Sequence, residues 1–264
     1  MQRGPRFIGI LNVTPDSFSD GGAFLDPAAA LEQARRLIRQ GAALLDVGAE
    51  STRPGALPVT PEVEWGRLEP VLEALRAELP ATRLSLDTRH AAVAEKGLAA
   101  GAAVINDVTA FSDPAMLDLA RHSSCGLIAM RSRGTGDALE MPDYGGAGER
   151  DDLRAIAELA AVRDRLLRAG IHRDRVLLDP GFGFGTTFTE DAALWRGLAG
   201  LPERLDWPAH RFCLGISRKR FLAWRAGTPG LPPERRDGLT AEAHAEAARL
   251  GYQVFRTHAW PPDA

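Results

Sequence analysis

Short apolar runs alternate with segments of helical period along nearly the whole 264-residue chain. The apolar runs fall at 7–13, 44–47, 84–87, 104–108, 126–130, 176–179, 212–216 and 252–256, and their size and Val/Ile/Leu content predict strands. Between them, Ala-, Leu-, Arg- and Glu-rich segments near 28–40, 61–79, 90–100, 114–122, 150–169, 191–199 and 239–250 predict helices. Several of these open on Pro or Asp and close on Gly41, Gly101, Gly170 or Gly251. Repeated βα units with near-continuous apolar strands predict a parallel sheet. Eight strands favour a closed (β/α)8 TIM barrel over an open doubly wound sheet, with residues 1–264 as a single domain. Only "AWPPDA" follows the last strand, so the barrel is expected to lack its C-terminal eighth helix. The outer faces of the first and last strands, assigned to Ile8, Val254 or their neighbours, then need another cover. The amino-terminal segment or the partner subunit of a homodimer is expected there.

A barrel of this kind carries its chemistry at the C-terminal ends of the strands. Polar residues do gather there: Asn12 with "TPDSFSDGG", Asp46 with "GAESTRPGA", then "DTR" at 87–89, "ND" at 106–107, "DPGFGFG" at 179–185, "SRKRF" at 217–221 and "RTH" at 256–258. One Asp or Asn at a strand end is ordinarily a cap or turn residue; seven coincident ends need another reason. Asp87, Asn106 and Asp179 would present carboxylate and amide groups from three strands to a flat heterocycle with several N–H donors and carbonyl acceptors. Lys219, Arg256, His258 and Arg53 add positive charge to the same rim, where a phosphate or pyrophosphate would gain charge-assisted hydrogen bonds.

A formal charge of -3 and a pI near 6.1 give no global basic field, so neither nucleic acid nor an anionic membrane is suggested as a partner. Cys125 and Cys213 are far apart and show neither a disulfide framework nor metal-ligand spacing, which suits a reducing cytoplasm. The apolar run after Arg3 and Arg6 is broken by Asn12, too short for a signal peptide, so a soluble cytoplasmic protein is expected. His90, His122, His172, His210 and His244 lack ligand spacing and are expected at surface or cap positions; Trp65, Trp195 and Trp224 are expected in packing. The Gly-, Arg- and Asp-rich segment 131–149 is expected to be a flexible loop.

The stretches "GILNVTPDSFSDGG", "DVGAESTRPGA", "LSLDTR", "INDV", "LLDPGFGFG", "LGISRKRFL" and "RTH" resemble the dihydropteroate synthase family, in that family's order and over nearly the whole chain. The resemblance implies condensation of 6-hydroxymethyl-7,8-dihydropterin pyrophosphate with p-aminobenzoate, with Mg²⁺ assisting, and sulfonamides as inhibitors. It places the pterin among Asp87, Asn106, Asp179 and Lys219, with Arg256 beside the ring. It assigns Mg²⁺ to Asn12, and pyrophosphate to Asn12, Thr52, Arg53, Arg256 and His258. It lines the p-aminobenzoate pocket with Phe18, Pro54, Phe184, Ser217 and the stem of Lys219. It also makes the first loop a lid, in which Asp20 and Phe18 close with Arg53 and Pro54 over bound pyrophosphate, hinged at Gly21 and Gly22.

The chain departs from the family pattern in places. Thr186 stands where a Lys usually follows "GFGFG", "IAMRSRGTG" has no His where "MHM" is usual, and "RTHA" replaces "RVHD". Two other readings therefore stand beside the synthase: a divergent pterin-binding homologue that turns over poorly, and a methyltetrahydrofolate-dependent methyltransferase barrel. The latter requires a corrinoid partner, and the two long loop motifs argue against it.

Overall fold

The computed structural model describes residues 5–14, 26–51, 57–135, 138–139 and 152–260. Eight parallel strands form the barrel: β1 (Arg6–Asn12), β2 (Leu44–Gly48), β3 (Leu84–Asp87), β4 (Val104–Asp107), β5 (Gly126–Met130), β8 (Val176–Asp179), β9 (Cys213–Leu214) and β10 (Val254–Thr257). β6 (Gly134–Thr135) and β7 (Ala138–Leu139) form a small antiparallel hairpin outside it. Hydrogen bonding runs in the order β8-β5-β4-β3-β2-β1-β10-β9, and a parallel bridge from Leu178 to Phe212 brings the two ends together. Helices α1 (Pro27–Arg39), α2 (Pro61–Glu78), α3 (Ala91–Ala99), α4 (Pro114–His122), α5 (Asp152–Arg168) and α6 (Phe188–Arg196) connect successive strands. The short α7 (Leu201–Arg204) follows α6, and α8 (Arg220–Arg225) and α9 (Asp237–Arg249) lie between β9 and β10. The two short helices were not anticipated, because neither is long enough to show a period. Several helix starts follow their local sequence: Asp26, Thr60 and Asp113 cap α1, α2 and α4, each with Pro in the first turn.

Strand parity decides what the barrel holds. One set of alternate positions, Ile8, Ile128, Cys213 and Val254 with the partly buried Leu44, Val104 and Leu177, forms an apolar plug inside the barrel. Two residues further along the strands, the same face carries Asp46, Asn106, Asp179 and Arg256. The other parity packs outward: Leu11, Leu45, Val47, Leu84 and Leu86 lie in one cluster with α1 and α2 residues, and Ile105, Leu127, Leu178, Leu214 and Phe255 in another. Each strand thus buries both faces, as a parallel barrel requires.

Among the described residues no helix follows β10, and of the residues expected on the surface it would cover, the neighbours are the ones found there. Ile8 and Val254 belong to the interior plug; their neighbours Phe7 and Phe255 take the outer face. The cover comes from the chain's own tail: Trp260 stacks on Phe7 with ring centroids 4.4 Å apart and planes 3° apart, and also meets His244 of α9 at 5.4 Å. His244 is therefore a core residue rather than a surface one. Neither ring nitrogen has a hydrogen-bond partner, and burial pushes its pKa down to about 4, so it packs as a neutral aromatic. Trp260→Ala is expected to lower stability by about 1–2 kcal/mol through the lost stack and exposed Phe7. Urea unfolding would measure this, and pterin affinity should stay the same.

Candidate active site

The floor of the polar mouth is an ion-pair network centred on Arg256. Its Nε donates to Asp46 Oδ2 at 2.6 Å and its Nη2 to Asp87 Oδ2 at 2.5 Å, while Asn106 Nδ2 donates to the same Asp46 oxygen at 2.9 Å. Burial opposes the charge on Arg256, but the two carboxylates outweigh it and hold the guanidinium above its ordinary pKa. Burial is also the main influence on Asp87: it raises the carboxyl to about 7, with Arg256 working against it and Asp46 with it. Asp46 is fully buried, and its Oδ1 has no hydrogen-bond partner. Sequence reading placed Asp46 at a strand end without a role; its signal was a carboxylate at an inward position of an otherwise apolar strand. Adjacent Asp107 faces outward and serves the fold, accepting from the Thr109 and Phe111 amides at 2.7 Å each.

Asp179 closes β8 and is 3 % exposed. Its Oδ1 accepts from the Gly181 amide at 2.8 Å, and burial raises its pKa against the pull of that amide and of Lys219. A Cβ on Gly215 would stand 2.9 Å from Asp179 Oδ2, so the absent side chain there makes room for the carboxylate. The following "GFGFG" alternates left-handed glycines with phenylalanines. At Gly181 (φ 67°) a Cβ would meet the Arg131 carbonyl oxygen at 1.8 Å, and at Gly185 (φ 69°) Arg133 Cβ at 2.5 Å. This zigzag drives Phe182 into the core against Phe221 and Trp195 and leaves Phe184 toward the mouth. Lys219 Nζ lies 3.9 Å from the Phe184 ring centroid. Burial lowers Lys219 to about 8, opposed by the charges of Asp179 and Asp191.

Ser217 and His258 meet across β9 and β10: Ser217 Oγ lies 3.0 Å from His258 Nδ1 and accepts from Thr257 Oγ1 at 3.1 Å. Asn12, partly buried at the end of β1, pairs in register with Gly48. Its side chain supplies an amide oxygen, a hard donor of the kind Mg²⁺ takes. Among the described residues, no group of three or more His, Cys, Asp or Glu side chains could hold a metal ion.

The structure thus gathers Asp87, Asn106, Asp179, Phe184, Ser217, Lys219, Arg256 and His258 around the strand ends, with Asn12 at the rim. Phe18, Asp20, Gly21, Gly22, Thr52, Arg53 and Pro54 lie outside the described residues. At the base of the second loop, Arg89 grips Glu50 through two hydrogen bonds of 2.7 and 2.8 Å, and Glu50 also accepts from the Val59 amide. His90, expected at a surface or cap position, does stand at the N-cap of α3, but its Nδ1 lies 2.6 Å from the buried Glu64, which raises its pKa.

The segment after β5 begins differently from the flexible loop expected. Arg131 is 1 % exposed and donates to the carbonyls of Pro180 and Gly181, and Arg133 donates to Gly185 and Glu190. Glu158 of α5 pairs with both arginines. Arg131 thus clamps the "GFGFG" turn from below. Composition could not show this, because a Gly/Arg-rich stretch looks the same whether its arginines are solvated or buried against carbonyls.

Residues 8–258 match the family described as pterin binding enzyme. The chain is 39% identical to the dihydropteroate synthase of Neisseria meningitidis serogroup B over 262 residues, covering 96% of this chain and 87% of that protein. The Xanthomonas albilineans dihydropteroate synthase solved with 4-aminobenzoic acid superposes with a TM-score of 0.83 at 38% identity, covering 97% of this chain and 88% of that one. The Burkholderia cenocepacia dihydropteroate synthase complexed with 7,8-dihydropteroate gives 0.78 at 37% identity, covering 96% and 86%. With this match over nearly the whole length and these identities, the chain belongs to the dihydropteroate synthase family of pterin-binding enzymes.

Proposed function

We infer that this chain is a transferase that condenses 6-hydroxymethyl-7,8-dihydropterin pyrophosphate with p-aminobenzoate to give 7,8-dihydropteroate and pyrophosphate. The observation that carries this reading is the buried Asp179, close enough to Lys219 to favour its ammonium form, beside the Asp46–Asn106–Asp87–Arg256 network. Carboxylates and an amide face the heterocycle, and cations stand where negative charge would leave. The related enzymes solved with 4-aminobenzoic acid and with dihydropteroate support the same pair of substrates.

In this reading Asp179, Asp87 and Asn106 bind the pterin edge. Lys219 and Arg256 flank it. His258, positioned by Ser217, together with Arg256, Thr52 and Arg53 holds the pyrophosphate. Asn12 would hold Mg²⁺, which supplies charge neutralisation at the leaving group. The leaving group sits on a carbon next to an electron-rich ring, so bond breaking runs ahead of bond making. The Asp179 and Asp87 carboxylates stabilise the cationic character that develops on the pterin. The arylamine, already a neutral nucleophile, attacks from the side of Phe184, Ser217 and the Lys219 stem. Phe18, Pro54, Asp20 and Arg53 complete that pocket when the first two loops close. No helix among the described residues is long and apolar enough to cross a membrane; a cytoplasmic protein, as its cysteine usage suggests, fits this activity, and a homodimer is compatible with it.

The decisive test is incubation with dihydropterin pyrophosphate, p-aminobenzoate and Mg²⁺, following both pyrophosphate and dihydropteroate. Equimolar release is expected; pterin binding without pyrophosphate release would identify a non-catalytic homologue instead. A second expected result is ordered binding. Without pyrophosphate, closure would bring Arg53 toward Arg256 and Lys219, a like-charge cluster that favours the open loop. Sulfonamide or p-aminobenzoate should therefore bind roughly 5–150-fold more tightly once pyrophosphate and Mg²⁺ are present, a coupling of about 1–3 kcal/mol. Equal affinities in two sulfonamide titrations, with and without pyrophosphate and Mg²⁺, would show that the first loop is not a lid.

A further inference from the structure

Beneath the "GFGFG" turn lies a carboxylate that the reaction above does not use. Asp191, in the first turn of α6, is 1 % exposed. Its Oδ1 accepts from the Thr186 hydroxyl at 2.8 Å and from the Gly183 amide at 3.2 Å, and its Oδ2 is buried with no hydrogen-bond partner. Gly183 is the residue over which Lys219 lies: a Cβ there would stand 3.6 Å from Lys219 Cδ and 4.0 Å from its Nζ. The next residue, Phe184, carries the ring that Nζ faces. A Thr–Asp pair therefore supports the turn here, and it adds a negative charge near Lys219.

We propose that Asp191 is a positioning residue for the arylamine side of the site: it holds Gly183 and Phe184 in place against Lys219 and helps keep Lys219 an ammonium. The proposal rests on the reading of Lys219 as a substrate-side cation. The charged groups acting on Lys219 are Asp179 from β8, Asp191 from α6 and Arg256 from β10; those acting on Asp191 are Arg131 and Lys219. Asp179 and Asp191 favour the ammonium, and burial and Arg256 disfavour it. Burial raises Asp191 itself to about 6, against the Thr186 and Gly183 hydrogen bonds and the two cations, so it is an anion at neutral pH. Replacing it by Asn keeps the shape and removes the charge, which must lower the Lys219 pKa.

The composition of the chain allows a direct test. It contains two lysines, Lys96 and Lys219, and Lys96 is exposed on α3. NMR titration of the protein with labelled lysine side chains therefore resolves Lys219 with one other signal to assign. Lys219 is expected to titrate near 8 in the wild type, and roughly 0.5–1 unit lower in Asp191→Asn. The alkaline limb of kcat/KM should move down with it. Thr186→Val keeps the carboxylate but removes one hold on the turn. It should move the Lys219 titration less than Asp191→Asn does, while raising KM for p-aminobenzoate several-fold relative to pterin affinity. Superimposable Lys219 titrations in wild type and Asp191→Asn would overturn the proposal. If Asp191→Asn does not fold, Asp191→Ser serves in its place, and a Lys219 titration unchanged from wild type in that variant overturns the proposal. A lowered Lys219 value that falls further in Asp191→Asn, in protein without synthase activity, would uphold the Asp191 assignment and overturn the function.

Discussion

Asp179→Asn is expected to fold normally and to lose most of its synthase activity. Asn keeps the shape that Gly215 leaves room for and retains an oxygen to accept from the Gly181 amide, so the turn should hold. What disappears is a buried carboxylate near the Lys219 ammonium, which in the proposed function faces the pterin edge. One charge-assisted hydrogen bond of this kind contributes about 1.5–3 kcal/mol to binding, so pterin affinity should fall roughly 10- to 150-fold. The effect on kcat/KM should be larger, on the order of 10²–10³, because the charge on the pterin grows toward the transition state. Lys219→Ala should cause a comparable loss by a different route, since it removes the cation that both Asp179 and Asp191 face. Calorimetry with a pterin and steady-state kinetics measure the two quantities separately; unchanged pterin affinity in both variants would remove Asp179 and Lys219 from the pterin pocket.

The second large effect is on stability. Arg256→Met should cost about 3 kcal/mol, near the low end for breaking a buried ion pair, because Arg256 and Asp87 each keep 20% of the side chain exposed. The loss should also depend on pH, with a definite sign. Burial already raises the Asp87 carboxyl to about 7 with Arg256 beside it, and losing the guanidinium raises it further. A carboxyl whose folded pKa lies above its unfolded value takes up a proton in the fold first, so its contribution to stability falls as pH rises through that interval. Below about pH 7 Asp87 is protonated in both proteins and their difference is constant. Above it, wild-type Asp87 is ionised beside its partner while the variant still holds its proton, so the gap widens by about 1.4 kcal/mol for each unit of further shift. Urea midpoints at pH 6 and pH 9 provide the comparison. A gap that narrows at pH 9 would mean that Arg256 does not stabilise the Asp87 carboxylate.

How far the sequence reaches is clearest at individual positions. Asp87, Asn106, Asp179, Lys219, Arg256 and His258 could be named in advance because each follows an apolar run, and a barrel places its strand ends together; Ser217 was named through the family resemblance. Asp46 was noted but undervalued, since nothing local tells a buried carboxylate that anchors an arginine 210 residues away from a strand-end cap. Asp191 and Arg131 were not singled out at all: one lies in an amphipathic helix and the other in a loop of ordinary polar composition, and both matter because of the glycine-rich turn folded against them. His244 looked like a surface residue because helical periodicity does not say that Trp260 will cover it.

The element order, the parallel sheet and the polar rim are properties of residues near one another in the chain, where periodicity, capping and turn chemistry act. Which aspartate faces the barrel mouth and which supports the fold is settled by strand parity and burial. Asn106 faces into the barrel while Asp107 faces out, although the two adjoin in sequence. The same holds for the charge states of Asp87, Asp179, Asp191 and Lys219. They depend on desolvation and on neighbours brought close by other strands and helices, and those distances exist only once the barrel has closed.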